Sequence, residues 1–588
     1  MFKSLFRRKT EFSSNTETGL RRVLKVRDLA FFGIAAIIGG GIFSSIGQAC
    51  ASAGPAVIWL FILCAVACVL AALCYAEFAA RIPVSGSAYT YAYASFGELF
   101  AWIIGWALIM EYAIGNIYVS FAWSEYFTHI LDSLGWELPR YLVVDYTSAQ
   151  EAVALISDRM GEQGLLISQI PDVQSWLIDH ASAHEIDAWN AWHNAPRWGD
   201  DGRLIADLPA FGINLLITYI VYRGIKESKN SSNAMVILKL LVVVLVIAVG
   251  AFYIDTNNFK PFMPTGFGGV LSGISAVFFT YIGFDAISTL AEETENPQRN
   301  LPLGMFWALA LCTVLYILIS LVLTGMVPFQ QLNVADPLAF AFAQHGIQWM
   351  EYLVSLSAVV AMTSVMLVFQ MGQPRIWLSM SRDGLLPPAF SRIHPRFRTP
   401  SFATWVTGAV VGIPIFFVNE QFVLDFTSIG TLFAFVLVCG GVLLLPDREA
   451  ETGKFHLPRY SSRIWFPIFS AFTYAALWIN WPEFFDHLFY SWDSQAVQSH
   501  GMCSQDLHHM DAQFLPHRLF WLLFLPFLNA LALWKNSSLI PLAGLAFCTY
   551  LLTGMDASNW YWFFLWFAIG LIVYFAYGYR NSRLNTHA

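Results

Sequence analysis

Charge is what this chain has least of. Only 12% of its 588 residues are Asp, Glu, Lys or Arg, about half the share of a soluble domain, while 57% are hydrophobic and the mean hydropathy is +0.55. A water-soluble fold cannot hide so large an apolar share, and a chain with a net charge of -8 offers no electrostatic footprint for nucleic acid. The composition implies an integral membrane protein.

Other absences narrow the class. The eight cysteines, at 50, 64, 68, 74, 312, 439, 503 and 548, are almost all in apolar stretches without paired loop spacing, so they read as small core residues and not as a disulfide framework. No HExxH and no phosphate-binding loop occurs in or beside the apolar stretches, which argues against a membrane enzyme, and no metal or cofactor is expected. His487, His500, Cys503, His508 and His509 lie close in sequence, but their spacing matches no zinc pattern, and a solvated loop is the simpler reading. No cleavable signal peptide is evident, and the outer segments lack glycosylation sequons, which is compatible with a bacterial inner membrane.

What is present is a series of long apolar runs. A bilayer core about 30 Å thick needs roughly 20 apolar residues per helix. Candidate spans fall near 28–48, 56–79, 98–128, 207–223, 232–254, 268–291, 303–327, 349–378, 402–418, 422–445, 464–480, 518–534, 539–555 and 559–579. With a cytoplasmic N-terminus, only Arg140, Arg159, Arg197, Arg203, Lys260 and Arg518 fall outside, Lys239 alone falls within a helix, and every other Lys and Arg falls inside, as the positive-inside rule requires. Both ends are then cytoplasmic. The organisation reads as a basic tail at 1–27, helices one to three at 28–129, an insertion at 130–206, helices four to ten at 207–446 and four more helices at 447–588 with an outer loop at 481–517. The insertion is acidic, with four arginines and no lysine, and its stretch AQEAVALISDRMGEQGLLISQI reads as a surface helix; the segment is expected to form an extracytoplasmic cap.

Two stretches break the pattern expected of a membrane helix. AIIGGGIFSSIG places Gly39, Gly40 and Gly41 together, each costing on the order of 1 kcal/mol relative to alanine in a helix. The sixth run carries Gly283, Phe284 and Asp285, a carboxylate at membrane depth. Helices one and six would head two five-helix repeats, and paired interruptions are the sequence pointer to a transporter site at mid-membrane. A half-helix N-terminus suits a carboxylate and unwound carbonyls suit an ammonium, a combination that fits an α-amino acid.

The phrases GIAAIIGGGIF, YAEFAARIPVSGSAYTYAYASFGE, GWALIMEYAIG, VYRGIKES, FFTYIGFDAISTLAEETENPQRNLP and GQPRIWLSMSRDGLLPPAFSRIHPRFRTP resemble the cationic amino acid transporter branch of the amino acid, polyamine and organocation superfamily. GLIVYFAYGYRNS is similar to the last helix of its fourteen-helix members. The resemblance covers about residues 25–128 and 207–583. It implies an all-α membrane fold, a five-plus-five inverted-repeat core with four added C-terminal helices, working by alternating access around a central amino-acid site. By the same resemblance Ile38, Gly39, Gly40 and Gly41 match the carboxylate site, although many members carry threonine or another residue in place of Gly40. Phe279 matches the aromatic gate, and Glu111 and Asp285, beside Gly283, match acidic positions facing the substrate side chain. Lys239 matches a lysine that in proton-coupled carriers stands where sodium-coupled relatives hold an ion, between helices one and eight.

Each residue also admits a plainer role. The glycines could serve close helix packing, Lys239 could snorkel to the interface, Glu111 could bond a neighbouring helix, Asp285 could cap a half-helix, and Phe279 could be core. The expected function is uptake of neutral or cationic amino acids with protons across the cell membrane; exchange without proton coupling and a membrane sensor are the alternatives. Met366 or Phe369 of helix eight could shorten the pocket, and the sequence leaves open which of them faces it.

Overall fold

A computed structural model describes residues 5–9, 24–82, 86–162, 183–198, 202–223, 228–264, 273–334, 336–397, 399–445, 454–480, 519–555 and 557–586, with isolated positions between them. The outer loop at 481–517, and with it the His/Cys group, lies outside the described residues.

Each of the fourteen apolar stretches contains helix, but the stretches differ in kind. Seven described helices are long and apolar enough to cross a membrane, and five shorter apolar helices accompany them. The first stretch is not one helix. It forms α1 (Val26–Ile37), an extended residue at Ile38, a wide turn at Gly41–Ser45 and α2 (Ile46–Ala53), and then leads into α3 (Val57–Arg81). After α4 (Ser87–Ser95) comes α5 (Glu98–Ser133), 36 residues long. At 1.5 Å per residue α5 spans about 54 Å, well over the hydrocarbon thickness, so its last turns stand clear of the apolar layer.

Those last turns meet the insertion. It folds as α6 (Tyr146–Glu162) packed on α7 (Ala183–Asn194), followed by a two-stranded hairpin, β1 (Arg197–Trp198) with β2 (Gly202–Arg203). A small core of Val144, Ala149, Ala152, Ala188, Ala191 and Ile205 holds the pair, and Arg159 clasps Glu185 with two bonds of 2.8 and 3.1 Å. The helix expected at 149–170 is present in α6 as far as Glu162; residues 163–170 lie outside the described residues. The insertion is anchored to the bundle: the Thr147 hydroxyl donates to the Phe417 carbonyl at 2.8 Å, and the Asn419 amide donates to Glu151 at 2.9 Å.

The bundle continues with α8 (Leu208–Arg223) and α9 (Ser228–Gly250). The sixth stretch is again broken, into α10 (Ile274–Phe279), a turn at Gly283 with φ 108°, and a tighter 3₁₀ helix from Phe284 to Glu293. Then come α11 (Pro297–Met326), α12 (Pro337–Gln344), α13 (Gln348–Arg382), α14 (Ser401–Gly412) and α15 (Glu420–Leu444). The C-terminal part supplies α16 (Ser462–Asn480), α17 (Leu525–Lys535), α18 (Leu539–Leu552) and α19 (Ala557–Val573). The longest interfaces are α5 on α13 and α11 on α1 and α3. In hydrocarbon such faces are held by close packing and polar pairs, seen here in the Gln370 amide donating to Asn214 at 2.7 Å and the Asn214 amide donating to the Gly408 carbonyl at 3.0 Å.

Both ends of the chain meet at the end of the bundle opposite the insertion. Arg7 donates to the Leu584 carbonyl at 2.8 Å, and the Lys9 ammonium pairs with Asp383 at 2.8 Å, which also accepts from the Tyr89 hydroxyl. Glu98 at the start of α5 accepts from Ser582 and Tyr574 at 2.6 and 2.9 Å.

Candidate substrate site between two broken helices

The two breaks face each other. A Cβ added to Gly41 would stand 2.6 Å from the Thr280 Cα, and one added to Gly283 would stand 2.7 Å from the Ala36 Cβ, so each break is seated against the other helix. The Tyr316 hydroxyl of α11 lies 2.9 Å from the Ile37 carbonyl and 2.7 Å from the Thr280 carbonyl, bridging both. Close packing and an opened backbone are thus the same feature at these glycines. Gly40 differs: a Cβ there would meet the Tyr118 ring at 3.1 Å and Val119 at 3.5 Å, neither of them on the opposing break.

Lys239 is fully buried. Its ammonium donates to the carbonyls of Ile38 at 2.7 Å and Ala35 at 3.0 Å, and to the Ser364 hydroxyl of α13 at 3.1 Å. It does not snorkel to an interface. Ser364 donates its own proton to the Ala361 carbonyl at 2.6 Å, so towards Lys239 it can only accept. Three acceptors around the nitrogen match the three N–H groups of a protonated amine. The carbonyl of Ile38 is therefore taken up by Lys239.

Phe279, at the C-terminal end of α10, sets its ring against Tyr118 with centroids 4.4 Å apart. The Tyr118 hydroxyl bonds Ser44 at 3.2 Å, and Ser44 reaches Glu420 at 3.4 Å. Asp285 is buried, and its carboxylate accepts from Tyr112 at 3.0 Å and lies against backbone amides of the Gly283 turn. Glu111 is buried, interacts electrostatically with Asp285 and has a hydrogen-bonding contact with Thr431 of α15, so it also links two helices. The Tyr75 hydroxyl near them is buried without a hydrogen-bond partner, while that of Tyr91 has a contact with Ser288. A buried polar group left without a partner is uncommon in folded proteins, and beside a broken helix it is what a polar ligand would satisfy. Phe369 stacks on Tyr112 at 5.6 Å, which places it, of the two α13 candidates, beside the carboxylates.

Residues missed in the sequence are Tyr316, Ser364, Tyr118 and Tyr112. Ser364 and Tyr316 lie in long apolar helices where one hydroxyl carries little signal. The pair Glu111–Tyr112 was visible, but only for its acid.

Paired helix breaks, a buried lysine bridging one of them to a neighbouring helix, and two interacting buried carboxylates beside the other define a membrane carrier. Residues 24–490 match the amino acid permease family, and residues 539–582 match the C-terminal segment characteristic of such permeases. The chain belongs to the amino acid permease family, with the inverted-repeat fold that goes with it. It is 41% identical over 453 residues to the branched-chain amino acid permease BcaP of Bacillus subtilis, covering 76% of this chain and 87% of that one. It is 38% identical to the methylthioribose transporter of the same organism, over 82% of this chain and 95% of the relative. It is 29% identical to the mitochondrial cationic amino acid transporter 3 of Arabidopsis thaliana, over 99% and 96%. These relatives are transporters and not enzymes.

Proposed function

We propose that this permease takes up amino acids, neutral or cationic, by alternating access and couples uptake to protons at Lys239, in a bacterial inner membrane with both termini cytoplasmic. The observation that carries this reading is the seating of the Lys239 ammonium on Ile38, Ala35 and Ser364. The charge ties the first broken helix to α13, and a neutral amine, with one N–H fewer, would loosen the tie. Proton loss then shifts the balance between conformations that differ in how α1 lies against α13.

For the cargo, the backbone N–H groups at Gly39, Gly40 and Gly41 receive the α-carboxylate, with Gly283 and Asp285 at the opposing break. Phe279 covers the ligand, and Glu111 and Asp285 border its side chain. The named cargoes of the relatives span branched-chain and cationic amino acids and methylthioribose, so identity within the class follows from the wall formed by Phe369, Tyr112 and Glu111.

The test is uptake of a panel of radiolabelled amino acids into proteoliposomes, with and without an inward proton gradient. Accumulation driven by the gradient supports symport. Exchange of internal for external amino acid that ignores the gradient would favour the exchanger alternative and reduce Lys239 to a fixed charge.

A further inference from the structure

A second cavity, of about 370 Å³, lies between the insertion and the end of the bundle on which it sits. Its volume falls in the range of small-molecule pockets. The wall from α5 is a stripe at helical spacing, Glu125, Thr128, His129 and Asp132, on the turns that outrun the membrane thickness. The insertion contributes Asp145 and Asp187, and the remaining sides carry Asp207, Asp336, Glu351 and Glu420. Against eight carboxylates the lining holds one arginine and one histidine. Arg140 serves Asp132 at 3.0 Å and Asp187 at 3.2 Å, and His129 stands 3.4 Å from Asp336 and 3.5 Å from Glu351.

A second observation is independent of this charge. Thr128 lines the cavity, is 5% exposed, and its hydroxyl has no hydrogen-bond partner. A helical threonine ordinarily bonds the carbonyl one turn back, as Thr324, Thr363 and Thr427 do here. A hydroxyl left idle in an acidic cavity has lone pairs free to accept from an ammonium while its own proton turns to a neighbouring carboxylate.

We infer that this vestibule is a binding site for an organic cation bearing a primary ammonium, taken up before it reaches the central site; the inference rests on the transport reading above. Ammonium hydrogens match carboxylate and hydroxyl oxygens, and the stem of such a cation fits the apolar part of the lining, Phe121, Val144, Val334 and Phe340. A bare metal ion fits less well: it needs several oxygens converging at one point, and among the described residues no three His, Cys, Asp or Glu side chains are so grouped. A cleft of one sign also concentrates its counter-ion and speeds capture. Such a site selects cationic amino acids over neutral ones at the stage of capture.

The probe is pentane-1,5-diamine, which has two ammonium groups and no carboxylate for the central site. The full-length purified protein should show a saturable rise in melting temperature with the diamine. That rise should be lost in Thr128→Val and weakened in Glu351→Gln. In wild-type proteoliposomes, diamine on the insertion side should raise the apparent KM for L-lysine several-fold and leave that for L-alanine unchanged. If Thr128→Val does not fold, this competition still decides. An equal thermal shift with calcium alone, no shift with the diamine, or equal inhibition of lysine and alanine would each overturn the inference. Diamine binding to a protein that moves no amino acid would uphold the vestibule and sink the transport reading; uptake without diamine binding would do the reverse.

Discussion

The Lys239 ammonium lies 2.7 Å from the Ile38 carbonyl oxygen, so a charge on α9 closes a gap in the backbone of another helix. Removing it strands the carbonyls of Ile38 and Ala35 in the interior, and each buried polar group left unpaired costs about 1–3 kcal/mol. Lys239→Met, which keeps most of the stem, is expected to lower the melting temperature of the purified protein. An unchanged melting curve would mean that the carbonyls find other partners.

Gly41 and Gly283 are where two backbones touch. An added methyl meets Thr280 and Ala36 at 2.6 and 2.7 Å, and Gly283 also has φ 108°, a conformation that side chains resist. Gly41→Ala and Gly283→Ala should abolish uptake even where protein reaches the membrane. Gly212→Ala is the control, since a methyl there meets nothing within 4 Å; its uptake should equal wild type.

Phe369 stacks on Tyr112, which donates to Asp285, so both rings lie beside the carboxylates. Phe369→Ala should admit bulkier side chains, read as a fall in KM for the larger members of the amino-acid panel relative to alanine. Tyr112→Phe removes the hydrogen bond to Asp285 without changing the stack, and uptake should fall while the ranking of side chains stays as in wild type.

Burial raises the Asp336 carboxyl from its ordinary 3.8 to about 6, with His129 opposing the rise and Glu351 adding to it. Above pH 6 the Asp336 carboxylate is ionised and adds its charge to the vestibule, while Asp207, pushed up to about 8 by burial, contributes its own only at higher pH. Acidification to pH 5 protonates Asp336. The diamine-induced rise in melting temperature should therefore shrink between pH 7 and pH 5, and the change should be smaller in Asp336→Asn.

At the opposite end, Asp383 holds Lys9 and Tyr89 by its side chain and accepts from the Arg583 amide through its carbonyl. Asp383→Asn keeps the size and removes the charge. It should make residues 1–9 more open to protease at that end, with a modest loss of stability, since partly exposed ion pairs contribute about 0–1 kcal/mol.

The sequence made the membrane class and the two breaks legible because apolar length and glycine placement are local signals. Gly39–Gly41 and Gly283 marked themselves without any tertiary information, and Lys239 stood out as a lysine in an otherwise apolar span. What Lys239 bonds was not legible: Ser364 is 125 positions away, and a serine in an apolar helix looks the same whether or not it receives a charge. Nor was the choice between Met366 and Phe369, which depends on how α13 is rotated against α5. The vestibule needed both obstacles cleared, since its carboxylates are scattered along the chain from Glu125 to Glu420 and nothing local announces how the insertion docks.

The most direct measurement compares wild type with Lys239→Ala in the same proteoliposomes, following uptake of one transported amino acid with and without an inward proton gradient, alongside equilibrium binding of that amino acid. Wild type should accumulate substrate only with the gradient, and the variant should still bind and exchange substrate but show no response to the gradient. A variant that retains gradient-driven accumulation would contradict the assignment of Lys239 as the coupling residue.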